Sequence, residues 1–240
     1  MPPKKKVVGK DNSTLSKQPV SHPQPPKWPA LSKIDQWAPP PLTTLLGNQI
    51  ITLPLFSPAT CKAFVKLCES LPMEKTPSAV KGMALRTNDR WQLTDPEFAK
   101  RLWEDTGLNE VCGDWTEKPN MKGEVRAVGL NSNIRVYRYP KGAFFQRHYD
   151  DHAVDPVTGH TTQWTLLVYL MGEEDGVRGG ETVFYTSTGS GKKAKEQPLV
   201  AKLSRGTALL HRHGSNCLVH EGSEVLEGVK WVLRSDVCFA

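Results

Sequence analysis

Two segments in the first half of the chain place apolar residues at helical spacing. In the first segment they recur three or four positions apart, which predicts one buried face: Cys61, Phe64, Leu67, Cys68 and Leu71. In the second, Phe98, Leu102 and Trp103 follow the same spacing before Gly107. Ser57-Pro58 and Asp95-Pro96 precede the two segments, and a polar cap followed by proline is typical of a helix start. We therefore predict two helices between residues 57 and 107.

From about Asn133 onward the pattern changes to short apolar segments separated by glycine-rich turns. The predicted strands are Gln49 to Leu55, Ile134 to Tyr139, Gln163 to Leu170, Glu181 to Tyr185, Thr207 to His211, Cys217 to His220 and Lys230 to Phe239. Many short strands with such turns predict a sandwich or a jelly roll. The two helices make the expected fold class α+β, within one domain over residues 42–240 and with the strand-rich core at about 130–240.

Three stretches between these elements lack a regular pattern. Thr76 to Trp91 and residues 151–162 are predicted to be loops, and Ser187 to Gln197 is predicted to be a mobile surface loop. Arg86 and Arg90 lie in the first of them. We expect the first two loops to form walls of the entrance to a site.

Residues 1–41 differ in composition from the rest of the chain. They hold ten of the nineteen prolines, together with polar residues and scattered lysines. Such a segment cannot bury enough apolar surface to offset the entropy lost on ordering, so we expect a disordered tail. Trp28 and Trp37 are unusual in a free tail and are candidates for packing onto the domain. Lys4-Lys5-Lys6 resembles a minimal nuclear-import signal.

The net charge of +6 belongs to this tail. Residues 1–40 hold seven lysines against Asp11 and Asp35, a balance of +5, so the remaining residues carry only +1. A nearly neutral body gives no support for a groove that follows nucleic-acid phosphates. We expect no nucleic-acid partner for the folded body.

Length and cysteine content narrow the class of protein further. A chain of 240 residues fits one domain with a large core. No apolar run approaches the roughly 18 residues of a membrane span, so no membrane partner is expected. Five cysteines without a Cys-x-x-Cys pair argue against a disulfide framework and favour a reducing intracellular location, cytoplasmic or nuclear. The sequence assigns no oligomeric state.

The candidate chemistry begins at His148-Tyr149-Asp150. On an extended strand, a histidine and an aspartate two residues apart point to the same face. A second histidine would complete a facial set of two imidazoles and one carboxylate, which suits non-haem Fe(II) and oxygen chemistry. Three downstream histidines could supply that ligand: His211, His213 and His220.

The order and spacing of several motifs resemble the prolyl 4-hydroxylase group of 2-oxoglutarate/Fe(II) dioxygenases. The matching residues, in chain order, are Tyr139, Gly142, His148-x-Asp150, Gly179-Gly180-Glu181-Thr182, His220 and Lys230-Trp231. The match covers roughly residues 130–240 and leaves the tail uncovered. This resemblance implies a double-stranded β-helix with iron at its mouth, Fe(II) as metal, 2-oxoglutarate and O2 as cosubstrates, and L-ascorbate as an accessory reductant.

The resemblance also implies a role for each matched residue. His148, Asp150 and His220 are the expected iron ligands and catalytic residues. Lys230 is expected to pair with the 5-carboxylate of 2-oxoglutarate, Tyr139 to donate a hydrogen bond to it, and Thr165 to supply another polar contact. Arg234 alternates with Lys230 on one strand and is the competing cation for that carboxylate.

The function that follows is hydroxylation of an unactivated C–H bond, with decarboxylation of 2-oxoglutarate to succinate. The substrate implied by the group is a protein side chain, proline included, or a small molecule. Three alternatives stay open at this point. They are an inactive jelly-roll module that binds a partner, a demethylating dioxygenase acting on nucleic acid, and a cupin with another metal.

Overall fold

A computed structural model describes residues 24–31, 40–77, 81–118, 123–188 and 195–240. Lys4-Lys5-Lys6 and Trp37 lie outside these residues, as does part of the glycine- and lysine-rich loop after Thr188. No helix in the described ranges is both long enough and apolar enough to cross a membrane.

The described residues form three α-helices and sixteen strands. The helices are α1 Pro58–Glu69, α2 Pro96–Asp105 and α3 Leu108–Cys112. The strands before the metal-site motif are β1 Thr43–Leu46, β2 Ile50–Pro54, β3 Glu74–Lys75, β4 Asp89–Thr94, β5 Thr116–Glu117, β6 Val125–Leu130, β7 Asn133–Pro140 and β8 Phe145–His148. The later strands are β9 Thr161–Tyr169, β10 Arg178–Gly179, β11 Thr182–Thr188, β12 Lys195–Ala201, β13 Thr207–Arg212, β14 His220–Gly222, β15 Val225–Glu227 and β16 Val229–Phe239.

Two antiparallel sheets build the core. The larger has ten strands, with the order β1-β2-β13-β9-β16-β7-β4-β3 and with β6 and β5 attached through β16. The smaller has the order β12-β11-β14-β8, and β10 pairs with β15 separately. Apolar residues of both sheets pack together between them, including Tyr139, Tyr169, Phe184 and Val232. The predicted jelly-roll fold with minor N-terminal helices is confirmed.

A second apolar core lies on the other side of the large sheet, where the helices pack. Phe64 of α1 and Phe98 of α2 are fully buried there beside Val136 and Leu166. Both helices begin where the sequence predicts. The Ser57 hydroxyl accepts a hydrogen bond from the Thr60 N–H at 3.1 Å, and the Asp95 carboxylate accepts one from the Phe98 N–H at 2.9 Å.

Trp28 shows that part of the predicted tail belongs to this helical core. Its ring stacks on Phe98 with centroids 4.0 Å apart, and its indole N–H donates to Asp95 at 2.8 Å. Leu31 is buried in the same cluster. The expectation of disorder is therefore wrong for residues 24–31, because an aromatic ring and a leucine supply the apolar area that the surrounding composition lacks.

Three predicted elements have different boundaries in the structure. The loop predicted from Thr76 to Trp91 ends earlier, because β4 begins at Asp89 and pairs with β7. The strand predicted at Cys217 to His220 is irregular up to its last residue: it follows a 3-10 turn, Gly214–Asn216, and β14 begins only at His220. The end of the predicted loop at 187–197 is the start of β12, which pairs with β11 along its whole length.

Candidate metal centre and cosubstrate cavity

His148 and His220 face each other across a strand pair of the small sheet. β8 and β14 pair in a register that sets His148 directly opposite His220, and their ring centroids are 4.3 Å apart. Asp150 follows β8 by two residues. His148 Nε2 lies 3.6 Å from Asp150 Oδ1, and His220 Nε2 lies 4.0 Å from Asp150 Oδ2. One ligand atom from each of the three residues can be chosen so that all lie within 4.8 Å of one another.

Backbone carbonyls orient both imidazoles. His148 Nδ1 contacts the Gln146 carbonyl at 2.7 Å, and His220 Nδ1 contacts the Leu218 carbonyl at 2.9 Å. Such a contact keeps the proton on Nδ1, so Nε2 carries the lone pair that a metal needs. Burial lowers the pKa of His148 to about 4 and also lowers the pKa of His220. Both rings are therefore neutral at physiological pH.

Asp150 is held as a carboxylate by groups behind it. The Thr165 hydroxyl donates to Asp150 Oδ2 at 2.8 Å, and Arg234 Nη2 lies 3.0 Å from the same oxygen. Burial by itself raises the pKa of a carboxyl group, but the Arg234 charge reverses this and holds the pKa of Asp150 well below its usual range. A neutral–neutral–anionic donor set of this kind fits Fe(II), with three positions left for other ligands.

A cavity between the two sheets connects this triad to Lys230. The lining includes the triad, Lys230 and Arg234, together with Tyr137, Tyr139, Phe145, Leu167, Thr182, His211, Glu221, Gly222 and Val232. Lys230 is 4% exposed, and its ammonium donates to the Gly180 carbonyl at 2.5 Å. The rings of Tyr139 and Tyr169 lie 5.2 and 5.3 Å from Nζ.

Lys230 has no carboxylate partner among the described residues, whereas Arg234 has two. Arg234 pairs with both Asp150 and Asp236. Burial lowers the pKa of Lys230 from 10.5 to about 8, because desolvation of the ammonium outweighs the attraction of the Glu181 charge. Lys230 is thus the cavity cation left available for an anionic ligand. The two sheets also separate His220 on β14 from Lys230 on β16, so these residues do not form a hairpin pair.

Tyr139 and Thr165 differ in their position relative to the cavity. Tyr139 lines the cavity directly across the strand pair from Lys230, and burial raises the pKa of its hydroxyl, which stays protonated and able to donate. Thr165 does not line this cavity. Its hydroxyl contacts Asp150 and also His213 Nδ1, at 3.0 Å, so the geometry favours support of a metal ligand over contact with the cosubstrate.

The other two candidate ligands, His211 and His213, differ in their hydrogen bonds. His213 contacts the hydroxyls of Thr162 and Thr165 through its two nitrogens, as a core histidine does. His211 lines the cavity and contacts the Arg212 carbonyl through Nδ1 at 3.1 Å. Its Nε2 lies 3.8 Å from Asp150 Oδ2 and is buried without a hydrogen-bond partner among the described residues. Burial of an unsatisfied nitrogen costs about 1–3 kcal/mol. The sequence offered His211 as a candidate metal ligand but gave no sign that its Nε2 would be unpartnered.

The mouth of the cavity carries aromatic and cationic side chains. Phe145 stacks on His148 with centroids 3.6 Å apart, and the Arg86 guanidinium lies 5.5 Å from the Phe145 ring centroid. Tyr149 is 66% exposed beside the triad. Arg86 therefore lies near the cavity, as the loop position suggested. Arg90 instead donates to Gln92 on the surface of β4.

Comparison with known protein families indicates which class of protein has such a site. Residues 134–235 match the model of the 2OG-Fe(II) oxygenase superfamily. These residues carry the signature of a 2OG-Fe(II) oxygenase domain. The match contains all three triad residues and Lys230. The protein is therefore a dioxygenase that uses Fe(II), 2-oxoglutarate and O2. The expected enzyme class and cosubstrates are thereby confirmed, while the use of ascorbate stays a prediction.

Solved structures support the fold of this oxygenase domain. A prolyl-4-hydroxylase from Pseudomonas putida matches with a TM-score of 0.51 at 13% identity, over 80% of this chain and 92% of that chain. A Trichoplax adhaerens prolyl hydroxylase, solved with a hypoxia inducible factor peptide fragment, matches with a TM-score of 0.50 at 16% identity, over 80% of this chain and 84% of that chain. No curated protein sequence matches the chain. At these identities the likeness concerns the fold alone.

Proposed function

We propose that the oxygenase hydroxylates an unactivated C–H bond, with iron held by His148, Asp150 and His220. The observation that carries this proposal is the pairing of two features in one cavity. A donor set suited to Fe(II) lies at one part of the lining, and a buried ammonium without a carboxylate partner among the described residues lies at another. A dicarboxylate such as 2-oxoglutarate satisfies both features at once.

In this proposal each side chain of the site has a separate role. Lys230 binds the 5-carboxylate, and the Tyr139 hydroxyl donates a hydrogen bond to it. Thr165 and Arg234 hold the Asp150 carboxylate in its ionised form. Phe145, stacked on His148, limits the access of water from the mouth. Iron held by the triad would supply oxygen activation coupled to decarboxylation of 2-oxoglutarate.

For the substrate, we propose a protein side chain, with proline tested first, or a small molecule. Two structural relatives are named as prolyl hydroxylases, which supports proline as the first class to test. The exposed Tyr149 ring and the Arg86–Phe145 pair offer an apolar and cationic surface where a peptide can lie. The folded body outside residues 1–40 is almost neutral, which disfavours a nucleic-acid substrate.

The experiment is an unbiased search for added oxygen. Peptides and metabolites are incubated with the iron-loaded protein and 2-oxoglutarate, and mass spectrometry records products that gain one oxygen atom together with the succinate formed. Asp150→Ala is the matched control, because it removes one proposed iron ligand and leaves Lys230 intact. Equal oxygen addition and equal succinate formation by both proteins would refute the proposal. Succinate formed by neither protein would favour a binding module.

A further inference from the structure

His220 belongs to two groups of potential metal ligands. The first is the proposed iron set with His148 and Asp150. In the second, one ligand atom each from His211, Cys217 and His220 lies within 4.8 Å of the others. The His220 ring lies between the other two imidazoles, with its centroid 4.3 Å from His148 and 4.6 Å from His211. Its Nε2 is the atom that faces Asp150, whereas its Nδ1 lies 3.9 Å from Cys217 Sγ.

The unpartnered nitrogen of His211 points to a ligand for this second group. His211 is 1% exposed, and its Nε2 lies 3.8 Å from Asp150 Oδ2, beyond hydrogen-bond distance, with no hydrogen-bond partner in the described part of the chain. Because Nδ1 contacts a backbone carbonyl, the neutral ring carries its lone pair on Nε2. A metal ion would use that lone pair. His213, with both nitrogens engaged by hydroxyls, offers no such lone pair.

We propose that His211, Cys217 and His220 form a second metal site that takes Zn(II) and similar thiolate-preferring ions and excludes iron while it is occupied. A donor set of two imidazoles and one thiolate suits zinc, with water as the fourth ligand. Donors around a tetrahedral zinc lie about 3.5 Å apart when Zn–S is about 2.3 Å and Zn–N about 2.0 Å. The 3.9 Å between Cys217 Sγ and His220 Nδ1 is close to that spacing.

Zinc and iron exclude each other because both need a lone pair of the His220 ring, which has only one. A neutral ring has one lone pair and one N–H, so it binds one metal at a time. When Nε2 of His220 binds iron, Nδ1 keeps its proton and donates to the Leu218 carbonyl. When Nδ1 binds zinc, the proton moves to Nε2, which then cannot bind iron. The Cys217 thiol releases its own proton to solvent when it binds the metal. This inference rests on the proposed iron ligands only for the shared His220.

Cobalt provides the direct test, because thiolate ligation of Co(II) gives an intense sulfur-to-cobalt charge-transfer band that nitrogen and oxygen donors do not give. Co(II) is titrated into the metal-free full chain, and the absorption spectrum is recorded. We expect the band in the wild type and in His148→Ala, which lacks only an iron-set ligand. Cys217→Ser should still bind cobalt without the band. Cys68→Ala, which removes a thiol from α1, is the control that should keep it.

Zinc competition tests exclusion. We expect Zn(II) to displace Fe(II) from the wild type, and Cys217→Ser to weaken zinc binding by more than the about 10–100-fold that loss of an outer-shell partner costs. Iron affinity of Cys217→Ser should change by less than about tenfold, because serine can still accept the Asp150 N–H. Three results would overturn the inference: no charge-transfer band in the wild type, equal zinc affinity in Cys217→Ser, or lost iron binding in that variant. Iron binding retained by His148→Ala would instead count against the proposed function.

Discussion

Replacement of Lys230 by methionine should stabilise the metal-free protein while weakening its affinity for 2-oxoglutarate by on the order of a hundredfold or more. The two effects have one cause, since the buried ammonium has no carboxylate partner among the described residues until the cosubstrate arrives. Methionine has a similar volume and no charge to desolvate. We therefore expect a higher free energy of unfolding and weaker cosubstrate binding in the same variant.

The magnitude follows from the pKa of Lys230. Burial lowers it from 10.5 to about 8, and each pKa unit corresponds to about 1.36 kcal/mol, so the charged side chain costs the folded state about 3 kcal/mol at pH 7. Methionine loses the hydrogen bond to Gly180, worth about 1 kcal/mol. The net gain is about 2 kcal/mol, or roughly 4–8 °C in Tm for a chain of this size.

The pH dependence has a defined sign. Between about pH 8 and 10.5 the unfolded chain keeps the Lys230 proton that the folded chain has released, so the stability of the wild type rises with pH through that window. The advantage of Lys230→Met should therefore be complete below pH 8, pass through zero before pH 10.5 and become a deficit of about 1 kcal/mol above it, where only the lost hydrogen bond to Gly180 counts. Urea unfolding of the metal-free proteins at several pH values measures it.

The second measurement on Lys230→Met is its affinity for 2-oxoglutarate. Removal of one partner of a buried ion pair costs about 3–5 kcal/mol, which at 1.4 kcal/mol per decade is on the order of a hundredfold or more in Kd. Anaerobic titration of 2-oxoglutarate into the Mn(II)-loaded variant measures the loss. Arg234→Met is the control with the opposite sign: it should destabilise the protein, because Asp150 loses its ion pair, and at saturating metal it should change 2-oxoglutarate affinity much less. A destabilised Lys230→Met, or a larger affinity loss in Arg234→Met, would refute the reasoning.

Four further predictions concern the metal, its support and the N-terminal segment. His148→Ala and Asp150→Ala should each lose the bound iron and all turnover, whereas His213→Ala should retain iron; elemental analysis of the purified variants decides. Thr165→Val should weaken Mn(II) binding about tenfold, as expected for loss of a hydrogen bond to a metal ligand, and an unchanged Kd would contradict that role. Trp28→Ala should lower the free energy of unfolding by about 2–3 kcal/mol, since it removes a half-buried ring and the donor to Asp95; an unchanged urea midpoint would show that residues 24–31 do not support the core. Neutralising Lys4, Lys5 and Lys6 should reduce nuclear accumulation of a fluorescent fusion, and equal distribution of both fusions would remove the import signal.

The local elements of the fold follow from sequence because their causes are local. Ser57-Pro58 and Asp95-Pro96 each supply a cap and a fixed backbone angle, so both helices begin where predicted. The long strand Val229–Phe239 contains the predicted one. Trp28 was harder to assign, because its partners Phe98 and Asp95 are about 70 residues away, and composition averages over a segment in which a single ring decides the packing.

The metal-site motif was also visible in the sequence, since His148 and Asp150 are two residues apart in the chain and His220 precedes Lys230 by ten residues. Sequence alone could not choose between Lys230 and Arg234 without the resemblance, because both cations alternate along one strand. Tertiary structure supplies the physical distinction: Arg234 meets Asp150 and Asp236, whereas Lys230 lacks a carboxylate partner within the described residues. The unpartnered His211 nitrogen and the contact between Thr165 and Asp150 are likewise products of folding, because they depend on which strands become neighbours across the sheets.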